Sequence, residues 1–239
     1  MADTGKWITV KGRHIYIKDK DEQEQEILPD KPVENGDQWI ADRLGVDIEH
    51  AADIHDAFLR WSDYGSSEIH NEDTIPVHPA IPSGAENAKL IDEYLNHPSI
   101  PKYKGNLYRG MIVRTDKLDD IDKNLKDGVW KEPGITAFST SQEQANLYAL
   151  PDTMSSSIKI KLEGNKHAST IGHISAGGGE NEVLYPSSIK NGLKVKEYKK
   201  TPIYVERLDR KHFRETGEKK MKKVLLRYEY DIVLEDTRK

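Results

Sequence analysis

The sequence predicts an α+β fold in which a small helical region precedes a β-rich core built as a sheet sandwich. Three observations predict it. β-type runs dominate from Leu107 onward, at 107–113, 135–139, 158–162, 182–185, 193–198, 203–208 and 224–234, with helical stretches only near 116–126 and 142–150. So many strands with so few helices between them disfavour a doubly wound sheet. Ahead of them, Ala51, Ile54, Phe58 and Trp61 recur at three and four residues, which gives one apolar helix face between about Glu49 and Tyr64. Ser83 and Glu86 form a capping box that opens a second helix through Ala88, Ile91 and Leu95, ended by Pro98.

The remaining elements follow in order. Residues 6–18 read as a two-stranded hairpin, with Trp7 and Thr9, then Ile15 and Ile17, alternating with their neighbours about a Lys11-Gly12 turn. Such a hairpin is marginal alone and must pack or associate. Residues 19–37 are acidic, with two prolines and a glycine, and read as a linker. His70 to Pro82 reads as a proline-containing loop between the helices. Ser141 with Gln144 is a second capping box, at the head of the 142–150 helix. Val224 to Leu234 is the longest strand candidate.

Composition narrows the function classes. The 239 residues are 36% hydrophobic and 32% charged, so a modest core with long polar connections is expected. No run of 18 apolar residues occurs and no apolar leader segment opens the chain, so neither a membrane span nor a signal peptide is expected. Cysteine is absent, which excludes disulfides and thiolate metal sites. The nine histidines show no metal-ligand spacing, so no metal cofactor is expected. Net charge is −5 but uneven: Lys190 to Lys239 holds 16 Lys+Arg against 9 Asp+Glu, leaving +7 there and −12 in the first 189 residues. That basic segment would suit an acidic partner or a nucleic acid. Lys219, Lys220, Lys222 and Lys223 read rather as the solvated decoration of a hairpin connection, as short charge runs usually do.

Three stretches carry chemistry. Leu107-Tyr108-Arg109-Gly110-Met111-Ile112-Val113 is an apolar strand interrupted by one arginine, which needs a carboxylate partner or an anion in a cleft. Ala137-Phe138-Ser139-Thr140-Ser141 is a strand ending in three hydroxyl residues. Ser175-Ala176-Gly177-Gly178-Gly179 is a glycine turn leading into Glu180-Asn181-Glu182-Val183-Leu184-Tyr185-Pro186. If the strand has begun by Glu180, Glu180 and Glu182 share a face. In this order the three stretches resemble the R-S-E class of mono-ADP-ribosyltransferases, the arginine-type enzymes and the relatives of clostridial binary toxins. The resemblance covers roughly residues 100–235 and extends to the apolar residues around each motif.

The resemblance implies an ADP-ribosyltransferase-like split β-sandwich preceded by a small helical subdomain. The division would be 1–18 hairpin, 19–37 linker, 38–100 helical subdomain and 101–239 catalytic core. It implies NAD as substrate, with Arg109 on the diphosphate and the Gly110 backbone near the nicotinamide amide. Ser139 would orient the catalytic glutamate, Thr140 would shape the nicotinamide pocket, and Tyr148 would stack on nicotinamide or pack in the core. Glu182 would stabilise positive charge on the ribose and Glu180 would engage the acceptor, an arginine of a host protein. Residues 6–18 also resemble segments of phage minor head proteins, implying a phage-encoded protein with a cytoplasmic site of action or virion association. NAD glycohydrolysis, modification of nucleic acid and an inactive phage structural or binding module stay open as alternatives.

Overall fold

The computed structural model describes residues 5–10, 13–18, 33–76, 78–132, 134–152, 155–175, 181–187 and 192–237. It is a mixed α+β structure. Strands β1 (Gly5–Val10) and β2 (Arg13–Lys18) pair antiparallel as a two-stranded sheet. The expected Lys11-Gly12 turn lies outside the described residues, as do 19–32 of the expected linker.

The helical layer has α1 (Gly36–Leu44), α2 (Ile48–Arg60), a π-helical turn at Trp61–Gly65, α3 (Ser66–Asn71) and α4 (Gly84–Asn96). The Asn35 side chain caps α1 and the Asp47 side chain caps α2, each accepting from a backbone N–H that has no partner within its helix. The Ser83–Glu86 capping box forms in both directions. Helix α1 occupies residues that read from sequence as the end of the linker and the start of the helical region, and α3 runs into the stretch that reads as a loop from His70. Both are short, and α1 sets its buried Ile40, Ala41 and Leu44 among Asp37, Gln38, Asp42 and Arg43, so polar composition hides its apolar face.

The β-rich part comprises β3 (Leu107–Arg114), α5 (Leu118–Asp127), β4 (Val129–Trp130), β5 (Thr136–Ser139), α6 (Gln142–Leu147), β6 (Ser155–Glu163), β7 (Ser169–Thr170), β8 (Glu182–Tyr185), β9 (Leu193–Leu208), α7 (Arg210–Thr216) and β10 (Met221–Glu235). The sheet order is β4-β9-β10-β6-β3-β5-β8-β7. The two runs expected at 193–198 and 203–208 are one strand, which carries Pro202 without breaking. It is tolerated because β9 has no described neighbour on its outer side past Leu193 and Lys194, where it pairs with β4.

Two hydrophobic clusters sit on either side of β8. Leu184 joins Ile40, Ile54, Phe58, Ile91 and Tyr94 of the helical layer, together with Ile135, Ile171 and Ile174. Val183 and Tyr185 face the other way, toward Leu107, Ile158, Ile160 and Ile232. Strand alternation thus makes one short strand the partition between two cores, and the helical layer shares its core with the β-rich part. The Tyr185 hydroxyl donates to Asp236 Oδ2 at 2.6 Å, linking β8 to the end of β10.

His173, wholly buried beside this partition, lies 2.8 Å from the Tyr94 hydroxyl through Nε2 and under the edge of Trp39. Burial, helped by the Arg43 charge, pushes its pKa from 6.5 down to about 4. Between those values the unfolded chain binds a proton that the folded chain does not. The neutral ring therefore contributes fully above pH 6.5, and the contribution is lost as pH falls toward 4. The loss should reach about 3 kcal/mol. Urea midpoints across this window should fall more steeply for the natural chain than for His173→Gln; equal slopes would place the acid sensitivity elsewhere.

Candidate active site

Strand β3 pairs with β6 along its full length, from Leu107↔Leu162 to Arg114↔Ser155, yet meets β5 at the single pair Tyr108↔Ser139. Where β3 and β5 part, a cleft of about 260 Å³ opens, lined by Trp61, Tyr108, Arg109, Gly110, Phe138, Ser139, Tyr148 and Glu182 among others. Helix α6 lies across β3 beside it. Gly110 is needed for that approach, since a Cβ there would stand 1.8 Å from the Ala145 carbonyl oxygen.

Arg109 forms one wall. Its Nη1 donates to the Ala137 carbonyl at 2.7 Å, and its Nε stands 3.6 Å from Glu132 Oε1 without a hydrogen-bond partner. Glu132 is 8% exposed, so this is a nearly buried ion pair. Arg109 is therefore paired with a carboxylate and also lines a cleft. The 3.6 Å separation exceeds the roughly 2.7–2.9 Å of a charge-assisted hydrogen bond. The pair thus orients the guanidinium while leaving donors for an anion. Glu132 carries no sequence signal, being one acid in an irregular connection.

Glu182 and Ser139 are direct partners across β8 and β5, which places their Cβ atoms roughly 4.5–5.5 Å apart. The Ser139 Oγ accepts from the Ser141 N–H at 3.0 Å, and Ser141 in turn caps α6 by accepting from Gln144 N–H. The Thr140 N–H continues the ladder to the Asn181 carbonyl at 3.0 Å; Thr140 itself does not line the cleft. The Glu182 carboxylate is held from the helical layer: Trp61 Nε1 donates to its Oε1 at 3.1 Å. Trp61 reads from sequence as part of an apolar helix face. It is 5% exposed, but it begins the π-helical turn, where the wider spacing lets its indole edge face the sheet.

Tyr148 caps the C-terminal end of α6 and is 61% exposed at the cleft, so it does not pack in the core. The helix ends at Leu147, short of the expected 150. Glu180 and the glycine turn before it lie outside the described residues. Strand β8 begins at Glu182, and Asn181 adopts φ of 50°, in the left-handed region. Whether Glu180 shares a face with Glu182 therefore lies outside the described residues. Among the described residues no cluster of His, Asp or Glu could hold a metal ion, and no helix is long and apolar enough to cross a membrane.

No protein-family model and no curated protein matches the chain. Solved structures do. The chain is similar to the Vis toxin, an ADP-ribosyltransferase from Vibrio splendidus, at 15% identity over 84% of this chain and 81% of that one, with a TM-score of 0.47. It is similar to the ADP-ribosyltransferase HopU1 of Pseudomonas syringae at 11% identity over 84% and 88%, with a TM-score of 0.48. It is similar to an ADP-ribosyltransferase from Clostridium botulinum at 17% identity over 85% and 96%, with a TM-score of 0.43. Each is a likeness of chain path at low identity.

The contact between α6 and β3 is testable apart from function. Gly110→Ala should force the helix outward and destabilise the protein by about 1–3 kcal/mol in urea unfolding. An unchanged midpoint would contradict the close approach.

Proposed function

We propose that the cleft binds NAD and that the protein is a mono-ADP-ribosyltransferase of the R-S-E class with a protein arginine as acceptor. The observation that supports this most is the placement of Arg109, Ser139 and Glu182 around one cleft. Ser139 and Glu182 sit opposite each other on adjacent strands, and Arg109 is on the strand that diverges from them.

Each residue has a task that its chemistry suits. Arg109 presents the donors not taken by Ala137 to the diphosphate. The Gly110 backbone and Phe138 form the wall for the nicotinamide ring, and exposed Tyr148 stacks at the mouth. Thr140 acts indirectly, by extending the β5–β8 ladder that holds Ser139 against Glu182. The reaction breaks the bond between ribose C1 and the nicotinamide nitrogen and forms one from that carbon to an acceptor nitrogen. Glu182 offsets the positive charge that develops on the ribose, an oxocarbenium-like transition state, with Trp61 fixing its carboxylate. Glu180 pairs with the acceptor guanidinium and takes its proton as the new bond forms. The target would be a host protein if the chain is phage-encoded, reached in the host cytoplasm.

Two variants separate the steps. Glu182→Gln should lower nicotinamide release and label transfer together, by roughly 3–4 kcal/mol of barrier, while NAD still binds. Retention of more than about a tenth of the release rate, a loss under about 1.4 kcal/mol, would sink the assignment. Glu180→Gln should abolish label transfer to an arginine-rich acceptor and leave nicotinamide release largely intact. Parallel loss of both rates would put Glu180 in the NAD site itself. No loss of either would show that the acceptor reacts without Glu180 and would remove Glu180 from the acceptor role.

A further inference from the structure

The basic C-terminal segment takes no part in the cleft. Strand β10 pairs with β6 only from Glu229 onward, whereas it pairs with β9 from Met221 to Glu235. From 203 to 227 the chain is therefore a two-stranded ribbon tipped by α7, with no third strand among the described residues. No residue from 194 to 229 is buried. A ribbon of this kind gains little from its own packing, yet it carries large apolar side chains in the open. Tyr204 is 56% exposed, Met221 54%, Phe213 41% and Leu225 38%. By register Tyr204 stands opposite Leu225 and Leu208 opposite Met221, so these four share one face of the ribbon. Around them, 203–227 holds nine Lys+Arg against four Asp+Glu. Lys219, Lys220 and Lys223 make no ion pair among the described residues, while Lys222 reaches Asp209 at 3.5 Å.

We propose that this ribbon is a docking arm for an acidic polypeptide segment, which adds as an extended strand along the outer edge of β10 over Met221–Arg227. Strand addition would satisfy main-chain groups that have no ladder partner there. A segment alternating acidic and apolar residues would set its apolar side chains beside Tyr204 and Leu225 and its carboxylates against the lysines. Three other occupants fit less well. A second copy would bring the same lysines edge to edge, the device by which edge strands avoid pairing with themselves. A nucleic acid would satisfy the cations but leave the aliphatic face of Leu208, Met221 and Leu225 against a polyanion. A lipid surface would have to accept Glu206, which lies on that same face, along with unpaired strand edges. The proposal is independent of the reading of the cleft.

The test uses the full chain and a labelled short peptide alternating Glu and Val, with an equally charged Glu/Ser peptide as control. The Glu/Val peptide should bind about tenfold or more tighter than the control, weaken as salt rises, and slow amide hydrogen exchange over 221–227. The combined Lys219→Glu, Lys220→Glu, Lys223→Glu variant should lose both peptides. The combined Tyr204→Ser, Leu225→Ser variant should lose only the preference for Val. Nicotinamide release should be unchanged in both. No binding of the Glu/Val peptide, equal binding of the two peptides, or tighter binding of duplex DNA or phosphatidylserine vesicles would each overturn the proposal. Protection that appears anywhere but 221–227 would overturn the assignment of the edge.

Discussion

The constraint on which the rest of the structure depends is the single pair Tyr108↔Ser139 that joins β3 to β5. One pair is enough to keep the two parts of the sheet continuous, and too little to keep the strands side by side. Beyond it the backbone of β3 loses its neighbour, and the space that a strand would fill becomes the cleft. Helix α6 covers part of that space because Gly110 lets it touch the β3 backbone, and Ser141 caps the helix two residues from the junction residue Ser139. Arg109 lies next to the junction on the diverging strand, which explains how one side chain can reach both a buried carboxylate and an open cleft.

The second dependence runs through β8. It is only four residues long, and it divides two hydrophobic clusters by alternation. Its first residue, Glu182, is positioned by three separate elements. The β5 ladder places its backbone opposite Ser139, the left-handed Asn181 sets the angle at which the chain arrives, and Trp61 holds its carboxylate from the helical layer. The helical layer is therefore part of the site. The same layer buries His173 against Tyr94 and Trp39 just before the glycine turn.

What is legible in the sequence and what is not divides along physical lines. Periodicity reveals α2, α4 and the strand cores, because Ile54, Phe58, Ile91 and Val183 are buried for the reason their spacing announces. Motif order points to Arg109, Ser139 and Glu182 at one cleft, since each stands at or near a strand end where neither helix nor ladder claims its side chain. Trp61 escapes as a site residue because indole supplies both an apolar body and one polar edge, and only the tertiary structure says which is used. Glu132 escapes because an ion pair between residues far apart in sequence leaves no local trace. The left-handed φ of Asn181 ahead of β8 leaves no trace in composition either. The length of β9 is hidden because Pro202 looks like a terminator until its position on a sheet edge is known.

Trp61 and Glu182 form one hydrogen-bonded unit inside the cleft proposed to bind NAD, and indole nitrogen resonances test that unit most directly. The chain has four tryptophans, so the Trp61 Nε1–H signal can be assigned by its loss in Trp61→Phe. This signal should move in Glu182→Gln, where the acceptor loses its charge, and move again when NAD is added to the natural chain. The signals of Trp7 and Trp130 should stay in place. A Trp61 signal indifferent to both changes, in protein that still binds NAD, would contradict the Trp61–Glu182 unit.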